Sequence, residues 1–305
     1  NYGVNTVDFE SSKSHVSGFV VKEYAKKPSH WQLEMTLEEY LSENKIVGIS
    51  GVDTRMITKR IRSVGAMNCV ISTDDSLSLQ ELESQLNDYV FPADVVAGIS
   101  VNEKIELEAQ ENMTEAGKKK IGLIDLGYKT GIAKQIMKNG FDITVYPHDT
   151  GYEEVLADKP VAVLFSNGPG DPKECTSAIS LAGDLKGKLP LFGICLGHQV
   201  LSLSLGADTY KLKFGHRGSN HPVIDLRTNK VMMTSQNHGY AVKGDKVPEG
   251  MEVTHMNVND DTVEGMCFPE YDITSVQFHP EEGPGPTDGT VIFTDWMNSL
   301  KGGDL

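Results

Sequence analysis

Apolar runs alternate with amphipathic segments through the second half of the chain. Near-continuous apolar runs occur at 121–126, 141–146, 161–166 and 190–194, and the segments between them have helical periodicity. Strands that are apolar at almost every position are typical of a parallel sheet covered on both faces. The pattern therefore predicts an α/β fold with an open, mostly parallel sheet and helices on both faces.

Beyond Gly206 the pattern changes to short strands. The runs with strand character are 230–235, 251–256, 262–268 and 273–278. A segment near 288–300 again has helical periodicity. We predict short strands at these positions and a final helix.

The first half of the chain has mixed helix and strand signals. Thr36 with Glu39, and Ser78 with Glu81, have the spacing of capping boxes, in which two side chains satisfy backbone N–H groups at a helix start. One strand and three helices are predicted. They are a strand over 18–22, a helix that opens at Thr36 and stops before Gly48, a helix capped by Asp53 and ended by Gly65 with Ile57, Ile61 and Val64 on one face, and a helix after Ser78 with Leu79, Leu82 and Leu86 as its buried stripe.

The length of 305 residues suggests two domains, at roughly 150 residues per domain. Residues 101–118 are rich in charge and poor in aromatic side chains, and an apolar run follows immediately. We place a linker there, between a mixed α/β domain at 1–100 and the sheet-based domain at 119–301.

Composition narrows the range of partners and compartments. The chain has 28 Lys and Arg against 43 Asp and Glu, a net charge of −15, which repels nucleic acid backbones and anionic membranes. No stretch approaches the roughly 18 apolar residues of a membrane helix. The four cysteines lie far apart without a C-x-x-C pair, which excludes a zinc ribbon or a disulfide-stapled small domain. We therefore predict a cytoplasmic protein that binds neither nucleic acid nor membrane.

Gly193-Ile194-Cys195-Leu196-Gly197 lies where an apolar run passes into a helical segment. The pattern is that of a nucleophile elbow with cysteine in place of serine, because glycines two residues on either side permit a sharp turn. A helix N-terminus favours the thiolate, which is the attacking form. An isolated cysteine is more often a buried packing residue, but the flanking glycines favour a nucleophile. The other three cysteines lack this setting and are predicted to be packing residues.

A thiolate nucleophile needs a base, and His279 is the strongest candidate among nine histidines. It ends an apolar run and precedes Pro280, whose ring stiffens the link to Glu281. Glu281 could hydrogen-bond one ring nitrogen and fix the tautomer that serves the sulfur. Cys195, His279 and Glu281 thus form a candidate triad. Glu282 stays open as the orienting acid, and a surface histidine beside a turn stays the alternative for His279.

The loop SNGPGDP at 166–172 follows an apolar strand. Such a loop brings backbone N–H groups close to a ligand, so Gly168 and Leu196 could supply the two donors of an oxyanion hole, each worth about 10²–10³ in rate. Gly and Pro turns after strands more often only turn the chain. The loop therefore indicates a site only in combination with Cys195.

Several motifs of other chemistries are absent from the sequence. It contains no G-x-x-x-x-G-K-[ST] phosphate loop, no G-x-G-x-x-G after a strand, and no H-E-x-x-H or EF-hand spacing. His216 and His221 have no cysteine or carboxylate ligand at suitable spacing, so they are predicted to be loop histidines. We therefore predict neither a nucleotide site nor a metal site in this chain.

Three motifs together resemble the class I (triad) glutamine amidotransferases over about residues 119–301. These motifs are NGPG at 167–170, FGICLGHQ at 192–199 and FHPE at 278–281. Four further motifs resemble the small subunit of glutamine-hydrolysing carbamoyl phosphate synthetases, so the resemblance covers nearly the whole chain. They are GVDTR at 51–55, IRSVG at 61–65, QNHGY at 236–240 and GPGP at 283–286.

The resemblance implies a glutaminase with a defined mechanism. In that family a cysteine, here Cys195, attacks the carboxamide of glutamine, and a histidine, here His279, protonates the departing ammonia. Water then cleaves the γ-glutamyl thioester. Glutamine contacts carry over to Gly168, Gly170, Leu196, Gln199, Asn237, Gly239 and Tyr240.

The resemblance also implies a partner, the large synthetase subunit of a heterodimer. In the family that subunit receives the ammonia and uses ATP, a divalent metal and bicarbonate to make carbamoyl phosphate for arginine and pyrimidine synthesis, so no cofactor is expected in this chain. The family has a further N-terminal segment, including a serine that helps bind glutamine, so we expect the domain at 1–100 to be truncated at its start. Two alternatives stay open: an amidotransferase for another acceptor, and a catalytically silent regulatory subunit.

Overall fold

The chain forms two compact units, Asn1–Phe91 and Pro92–Leu305. The computed structural model describes residues 3–92, 94–109, 119–281 and 283–301. Within these ranges no helix is both long enough and apolar enough to cross a membrane.

The predicted linker at 101–118 is described only in part. Residues 110–118 lie outside the described ranges. Ile105–Leu107 is a strand that pairs with the large sheet, and the Glu106 carboxylate accepts a hydrogen bond from the Thr144 hydroxyl. Part of the charged segment therefore belongs to the C-terminal unit.

The N-terminal unit contains a two-stranded parallel sheet and three helices. Its elements are β1 (Gly18–Val20), α1 (Leu37–Glu43), β2 (Val47–Ile49), α2 (Thr54–Val64) and α3 (Leu79–Asp88). The predicted strand and the three predicted helices are confirmed. Both capping boxes form, and the Asp53 carboxylate accepts a hydrogen bond from the backbone N–H of Met56.

The buried stripe predicted on α3 is only partly correct. Leu82 and Leu86 are half-buried, but Leu79 is 78% exposed, so the prediction that it is buried is wrong. Leu79 is the first residue of the helix. Because helical side chains lean toward the N-terminus, this side chain points past the end of the helix.

The C-terminal unit is built on one ten-stranded sheet with the strand order β3-β5-β4-β6-β7-β12-β11-β10-β8-β9. Its strands are β3 (Ile105–Leu107), β4 (Lys120–Ile124), β5 (Asp142–Tyr146), β6 (Ala162–Phe165), β7 (Leu191–Ile194), β8 (Thr209–Asp225), β9 (Lys230–Val242), β10 (Glu252–Asn257), β11 (Val263–Phe268) and β12 (Ile273–Val276). Its helices are α4 (Thr130–Lys138), α5 (Tyr152–Ala157), α6 (Thr176–Leu185), α7 (Leu196–Ser204) and α8 (Val291–Lys301).

The sheet has a parallel part and an antiparallel part. Strands β5, β4, β6, β7 and β12 are parallel to one another, which confirms the predicted parallel sheet. Strands β11, β10, β8 and β9 extend it antiparallel beyond β12, and β3 adds antiparallel to β5 at the other edge. The carboxyl ends of β4, β6, β7 and β12 therefore meet along one edge, where open sheets of this type hold their ligands.

Helices cover both faces of the parallel part, as predicted. One core contains Val155 of α5, Leu181 of α6 and Val200 of α7. The other contains Ile136 of α4 and Trp296 of α8. All five side chains are 5% exposed or less, so the strands are held between two dry layers.

Strand β8 was not predicted, although it is 17 residues long. Its sequence mixes glycine, charged and apolar residues, so it has no apolar pattern that would predict a strand. Its pairing with β9 holds it in the sheet. His216 and His221 lie in this strand, so their interpretation as loop histidines is wrong. His216 is buried, at 7% exposure.

Candidate active site

A strained turn joins β7 to α7 at Cys195. This residue has φ +54° and ψ −102°, and such a positive φ costs a residue with a side chain roughly 1–3 kcal/mol. A Cβ at Gly197 would lie 2.0 Å from the carbonyl oxygen of Phe165, and one at Gly193 would lie 2.7 Å from Leu201 Cδ1. Only glycine fits at both positions, and the turn has the geometry of a nucleophile elbow.

Hydrogen bonds to two neighbouring strands hold this turn at the carboxyl edge of the sheet. The backbone N–H of Cys195 donates to the carbonyl of Val276 in β12, at 2.9 Å. The N–H of Gly197 donates to the carbonyl of Ser166, directly after β6, at 3.0 Å. Cys195 immediately precedes α7, and its side chain is buried, at 3% exposure.

His279 and Glu281 lie just beyond β12, the strand next to β7. His279 Nδ1 lies 2.7 Å from Glu281 Oε1, and both residues are buried. Because the carboxylate can only accept, Nδ1 carries the hydrogen. Nε2 makes no hydrogen bond of normal geometry within the described ranges, yet Cys195 is close enough to interact with the ring. Glu281 is therefore placed to orient the imidazole, while Glu282 lies outside the described residues.

The charges of this cluster shift two pKa values in opposite directions. Burial alone would lower the pKa of His279, but the charges of Glu281 and Cys195 outweigh it and raise this pKa. Burial alone would raise the pKa of Glu281, but His279 and Lys129 outweigh it and lower this pKa. His279 and Glu281 therefore form an imidazolium–carboxylate pair around neutral pH.

Lys129 is part of this cluster and was not predicted. Its Nζ lies 3.0 Å from Glu281 Oε1 and also donates to the carbonyl of Gly283. Lys129 precedes α4 in the loop after β4, and its backbone N–H donates to Asn167 Oδ1 at 3.1 Å. A lysine just past the carboxyl end of an apolar strand is the signal that could have indicated it, because parallel strands bring such ends together.

The loop after β6 brings Gly168 against Leu196. A Cβ at Gly168 would lie 2.0 Å from the carbonyl oxygen of Leu126 and 2.8 Å from Leu196 Cδ2. Within the described ranges, neither the N–H of Gly168 nor that of Leu196 has a hydrogen-bond partner. Gly170, with φ +98°, is exposed at the far end of the loop. The two free N–H groups therefore belong to residues that lie against each other, Gly168 and Leu196, next to Cys195.

Strand β9 passes alongside the cluster. The backbone N–H of His279 donates to the carbonyl of Ser235 at 2.9 Å, and Gln199 Nε2 donates to the carbonyl of Tyr240 at 2.8 Å. The segment at 235–240 therefore runs between His279 and Gln199. It contains three of the predicted glutamine contacts, which are Asn237, Gly239 and Tyr240.

The other three cysteines differ from Cys195 in their surroundings. Burial, together with nearby carboxylates, raises the pKa of Cys175 to about 12 and also raises the pKa of Cys267. Both side chains are therefore neutral thiols at neutral pH. Cys69 is exposed, so the prediction that it is a packing residue is wrong.

Two family models match the chain, one in each unit. Residues 122–298 match Glutamine amidotransferase class-I, and residues 1–71 match Carbamoyl-phosphate synthase small chain, CPSase domain. A carbamoyl phosphate synthase small chain from Clostridium perfringens is 46% identical over 297 residues, which are 97% of this chain and 82% of that relative. The chain belongs to the carbamoyl phosphate synthase small-chain family.

A second relative agrees with this assignment, and a solved structure shares the fold. The carbamoyl phosphate synthase small chain from Bacillus caldolyticus is 45% identical over 302 residues, 99% of this chain and 81% of that relative. A crystal structure from Thermoplasma acidophilum, described as that of a GMP synthase subunit, has a TM-score of 0.52 and 20% identity, covering 61% of this chain and 98% of that one. The latter likeness concerns the fold alone. Every residue of the site described above lies within 122–298.

Proposed function

We propose that this chain hydrolyses glutamine to glutamate and ammonia through Cys195, His279 and Glu281. The observation that carries the proposal is a cysteine in a strained elbow beside a buried imidazolium–carboxylate pair. The Cys195 sulfur attacks the carboxamide carbon of glutamine. His279 gives its proton to the nitrogen, the C–N bond breaks, ammonia leaves, and a γ-glutamyl thioester remains.

Water completes the cycle. After ammonia has left, His279 lacks one proton and accepts one from the water that attacks the thioester carbonyl. The C–S bond then breaks, which releases glutamate and returns a thiolate beside a protonated His279. Glu281 stays ionised throughout, because His279 and Lys129 keep its pKa low against the effect of burial. Its role is to orient the ring, and the role of Lys129 is to hold Glu281 in place.

The N–H groups of Gly168 and Leu196 form the oxyanion hole in this proposal. Their close approach and their lack of partners within the described ranges support the assignment. One donor of this kind is worth about 10²–10³ in rate. The remaining glutamine contacts are assigned to Gly170, Gln199, Asn237, Gly239 and Tyr240, which line the loop after β6, the start of α7 and the adjacent part of β9.

The ammonia is delivered to a large synthetase subunit. The relatives are named as small chains of carbamoyl phosphate synthase, which supports a partner of this kind. We assign to that partner the binding of ATP, its divalent metal and bicarbonate, and to the complex the synthesis of carbamoyl phosphate for arginine and pyrimidine biosynthesis in the cytoplasm. Free ammonia is mostly protonated at neutral pH and cannot attack, so direct transfer between the subunits has a chemical reason.

Labelling of the nucleophile tests the glutaminase proposal. Diazo-oxonorleucine, an electrophilic analogue of glutamine, should attach once, to the peptide that contains Cys195, as located by mass spectrometry. Cys195→Ser should abolish labelling, whereas Cys175→Ser, which removes a neutral thiol, should leave it unchanged. An adduct on another residue, or none on the assembled complex, would contradict the proposal.

Activity of the assembled complex separates this function from its alternatives. With the large subunit present, Cys195→Ser should lose glutamine-dependent carbamoyl phosphate synthesis and keep ammonia-dependent synthesis, because the acceptor chemistry lies in the partner. A silent regulatory subunit would show no difference between the wild type and Cys195→Ser. An amidotransferase for another acceptor would hydrolyse glutamine without supporting glutamine-dependent synthesis of carbamoyl phosphate.

A further inference from the structure

Three strands of the antiparallel part bring a second cluster of titratable side chains together. His216 of β8, His238 of β9 and Glu264 of β11 each offer one ligand atom, and these atoms all lie within 4.8 Å of one another. The three residues are buried, at 7%, 5% and 0% exposure. None of them belongs to the Cys195 cluster, and because they are far apart in the sequence they form no recognisable motif.

Hydrogen bonds on the outer side of each ring fix which nitrogen faces the cluster. His216 Nε2 lies 2.8 Å from Asp260 Oδ2, and His238 Nδ1 lies 2.7 Å from the carbonyl oxygen of Tyr240. Both partners can only accept, so both outer nitrogens carry a hydrogen. Nδ1 of His238 is used by this outer bond, so its inner nitrogen, Nε2, is the one that faces the cluster.

Nitrogen and oxygen atoms converge on one point inside the cluster. His216 Nδ1 and His238 Nε2 each lie 2.9 Å from Gln236 Oε1, and His216 Nδ1 lies 3.5 Å from Glu264 Oε1. Glu264 Oε2 is buried without a hydrogen-bond partner in the described ranges. The inner nitrogens of both rings and the Glu264 carboxylate therefore face the same space as Gln236 Oε1. A cation bound there would satisfy the buried carboxylate oxygen, which has no partner among the described residues.

We propose that His216 Nδ1, His238 Nε2 and the Glu264 carboxylate bind a zinc ion, with Gln236 Oε1 as the fourth ligand. Two imidazoles and a carboxylate form a common zinc donor set, and zinc bonds of about 2.0–2.1 Å place tetrahedral ligand atoms about 3.3 Å apart. Each imidazole nitrogen lies 2.9 Å from Gln236 Oε1 and His216 Nδ1 lies 3.5 Å from Glu264 Oε1, whereas the three principal ligand atoms lie within 4.8 Å of one another, so the side chains must draw together to bind the ion. Asp260 and the Tyr240 carbonyl then orient the two rings from outside, as the outer partners of metal-bound histidines do.

The ion would join three strands beside the substrate site. His238 lies between Asn237 and Gly239, so a bond from its ring to the metal fixes the strand segment to which glutamine contacts are assigned. The metal site stands on its own geometry and does not rest on the proposed glutaminase function. Its test therefore uses metal binding and not turnover.

Metal binding is measured on the full chain, purified without a metal-binding tag and stripped by a chelator. Competition against a chromophoric chelator should show one zinc ion bound per chain. A crystal of the zinc-loaded protein should give an anomalous peak at the zinc edge about 2.0–2.1 Å from His216 Nδ1 and His238 Nε2. Cobalt in place of zinc should give the visible absorption of a four-coordinate ion, a readout that needs no variant.

Variants separate the ligands from their neighbours. Asp260 is exposed, so Asp260→Asn should fold normally and weaken zinc affinity about 10- to 100-fold by loosening the His216 ring. Glu264→Gln should weaken it at least as much. His221→Asn is the matched control, because its ring lies 5.2 Å from that of His216 yet belongs to no part of the ligand set, and it should bind like the wild type.

Three outcomes would overturn the proposal. The first is the absence of stoichiometric zinc, since a proton on His216 Nδ1 would then take the place of the metal. The second is an anomalous peak at other residues. The third is a loss of affinity in His221→Asn equal to that in Asp260→Asn, which would contradict the ligand set.

Discussion

The helices of the two units are held in different ways. In the N-terminal unit α1, α2 and α3 each begin with a side chain that accepts a backbone hydrogen bond, and none of them contains a buried residue. In the C-terminal unit α4, α5, α6 and α7 have no such side-chain bond at their start, and each contains buried residues. Local hydrogen bonds define the first set of helices, and packing against the sheet defines the second.

The difference shows where a rigid site can be built. Among the described residues, the buried hydrophobic side chains all lie at Val96 or later in the chain. Burying one large apolar side chain is worth about 1.5–3 kcal/mol, whereas a helix cap is worth about 1 kcal/mol. The strained backbone of Cys195 needs surroundings that over-determine it, and only the C-terminal unit supplies them.

The largest expected effect is on glutamine turnover. It concerns His279 and its carboxylate partner Glu281, compared with Glu81 of the N-terminal unit, a carboxylate whose pKa is also lowered. His279→Asn removes the proton carrier and should lower glutamine turnover about 10²–10⁴-fold. Glu281→Gln keeps the shape of the side chain but removes the orienting charge, so its loss should be at least about tenfold smaller. Glu81→Gln is the control, because Glu81 accepts hydrogen bonds from Ser78 at the exposed start of α3 and should not affect turnover. Steady-state kinetics of the complex would contradict the roles if His279→Asn and Glu281→Gln were equally impaired.

The pH response of the buried pair follows from the same charges. The raised pKa of His279 means that its charge stabilises the fold fully below its usual pKa, and that this is lost as pH rises through the raised value. The lowered pKa of Glu281 means that its charge contributes above the usual carboxyl range and is lost as pH falls through the lowered value. Glu281→Gln should therefore lower the pKa of His279, because the carboxylate no longer opposes burial. An NMR titration of the imidazole that shows no change would exclude Glu281 as the main charge partner.

Truncation of a buried side chain should cost far more in one unit than in the other. Ile136 of α4 is 0% exposed, so Ile136→Ala should lower the free energy of unfolding by about 2–5 kcal/mol. Leu79 of α3 is 78% exposed, so Leu79→Ala should change it by less than about 0.5 kcal/mol. Urea unfolding followed by circular dichroism measures both. Similar losses of unfolding free energy in the two variants would contradict the difference in burial between the two units.

Local sequence signals account for most of the correct fold predictions. They failed for β8, which is held in the sheet by pairing with another strand. The capping boxes at Thr36 and Ser78 are each complete within four residues, and apolar runs marked every parallel strand of the C-terminal unit. β8 has neither signal, because its partner β9 supplies its hydrogen bonds. Leu79 fits the helical period but is the exposed first residue of α3, which the period alone does not show.

The candidate site divides in the same way. Cys195, His279 and Glu281 stand in short motifs whose geometry is local, so the sequence placed them next to the correct elements. Lys129 reaches Glu281 across 152 positions of the chain, and His216 meets Glu264 across three strand connections. Contacts of that kind depend on strand order, which no single segment of the sequence specifies.

Two glycines test whether tight packing defines the elbow. Gly197→Ala would place a methyl group 2.0 Å from a backbone oxygen, so the turn must shift, and stability should fall by about 3 kcal/mol. Gly183→Ala is the matched control in α6, where a Cβ meets nothing within 4 Å, and it should be neutral or stabilising by up to about 1 kcal/mol. Fluorescence of Trp296, in a Trp31→Phe background, reports unfolding of the C-terminal unit. Equal stability of the two variants would contradict the close packing of the elbow.

The smallest expected effect is confined to the N-terminal unit. Ser78→Ala removes the cap of α3, where the Ser78 hydroxyl accepts from the backbone N–H of Glu81, and should cost about 1 kcal/mol or about fivefold in local opening. Ser84→Ala is the control, since Ser84 bonds only to Asp88 within the same helix and alanine favours helix formation. Amide hydrogen exchange should show faster opening of α3 in Ser78→Ala alone. If exchange in α3 were unchanged, packing rather than the cap would hold this helix. The difference between the helices of the two units would then not apply to α3.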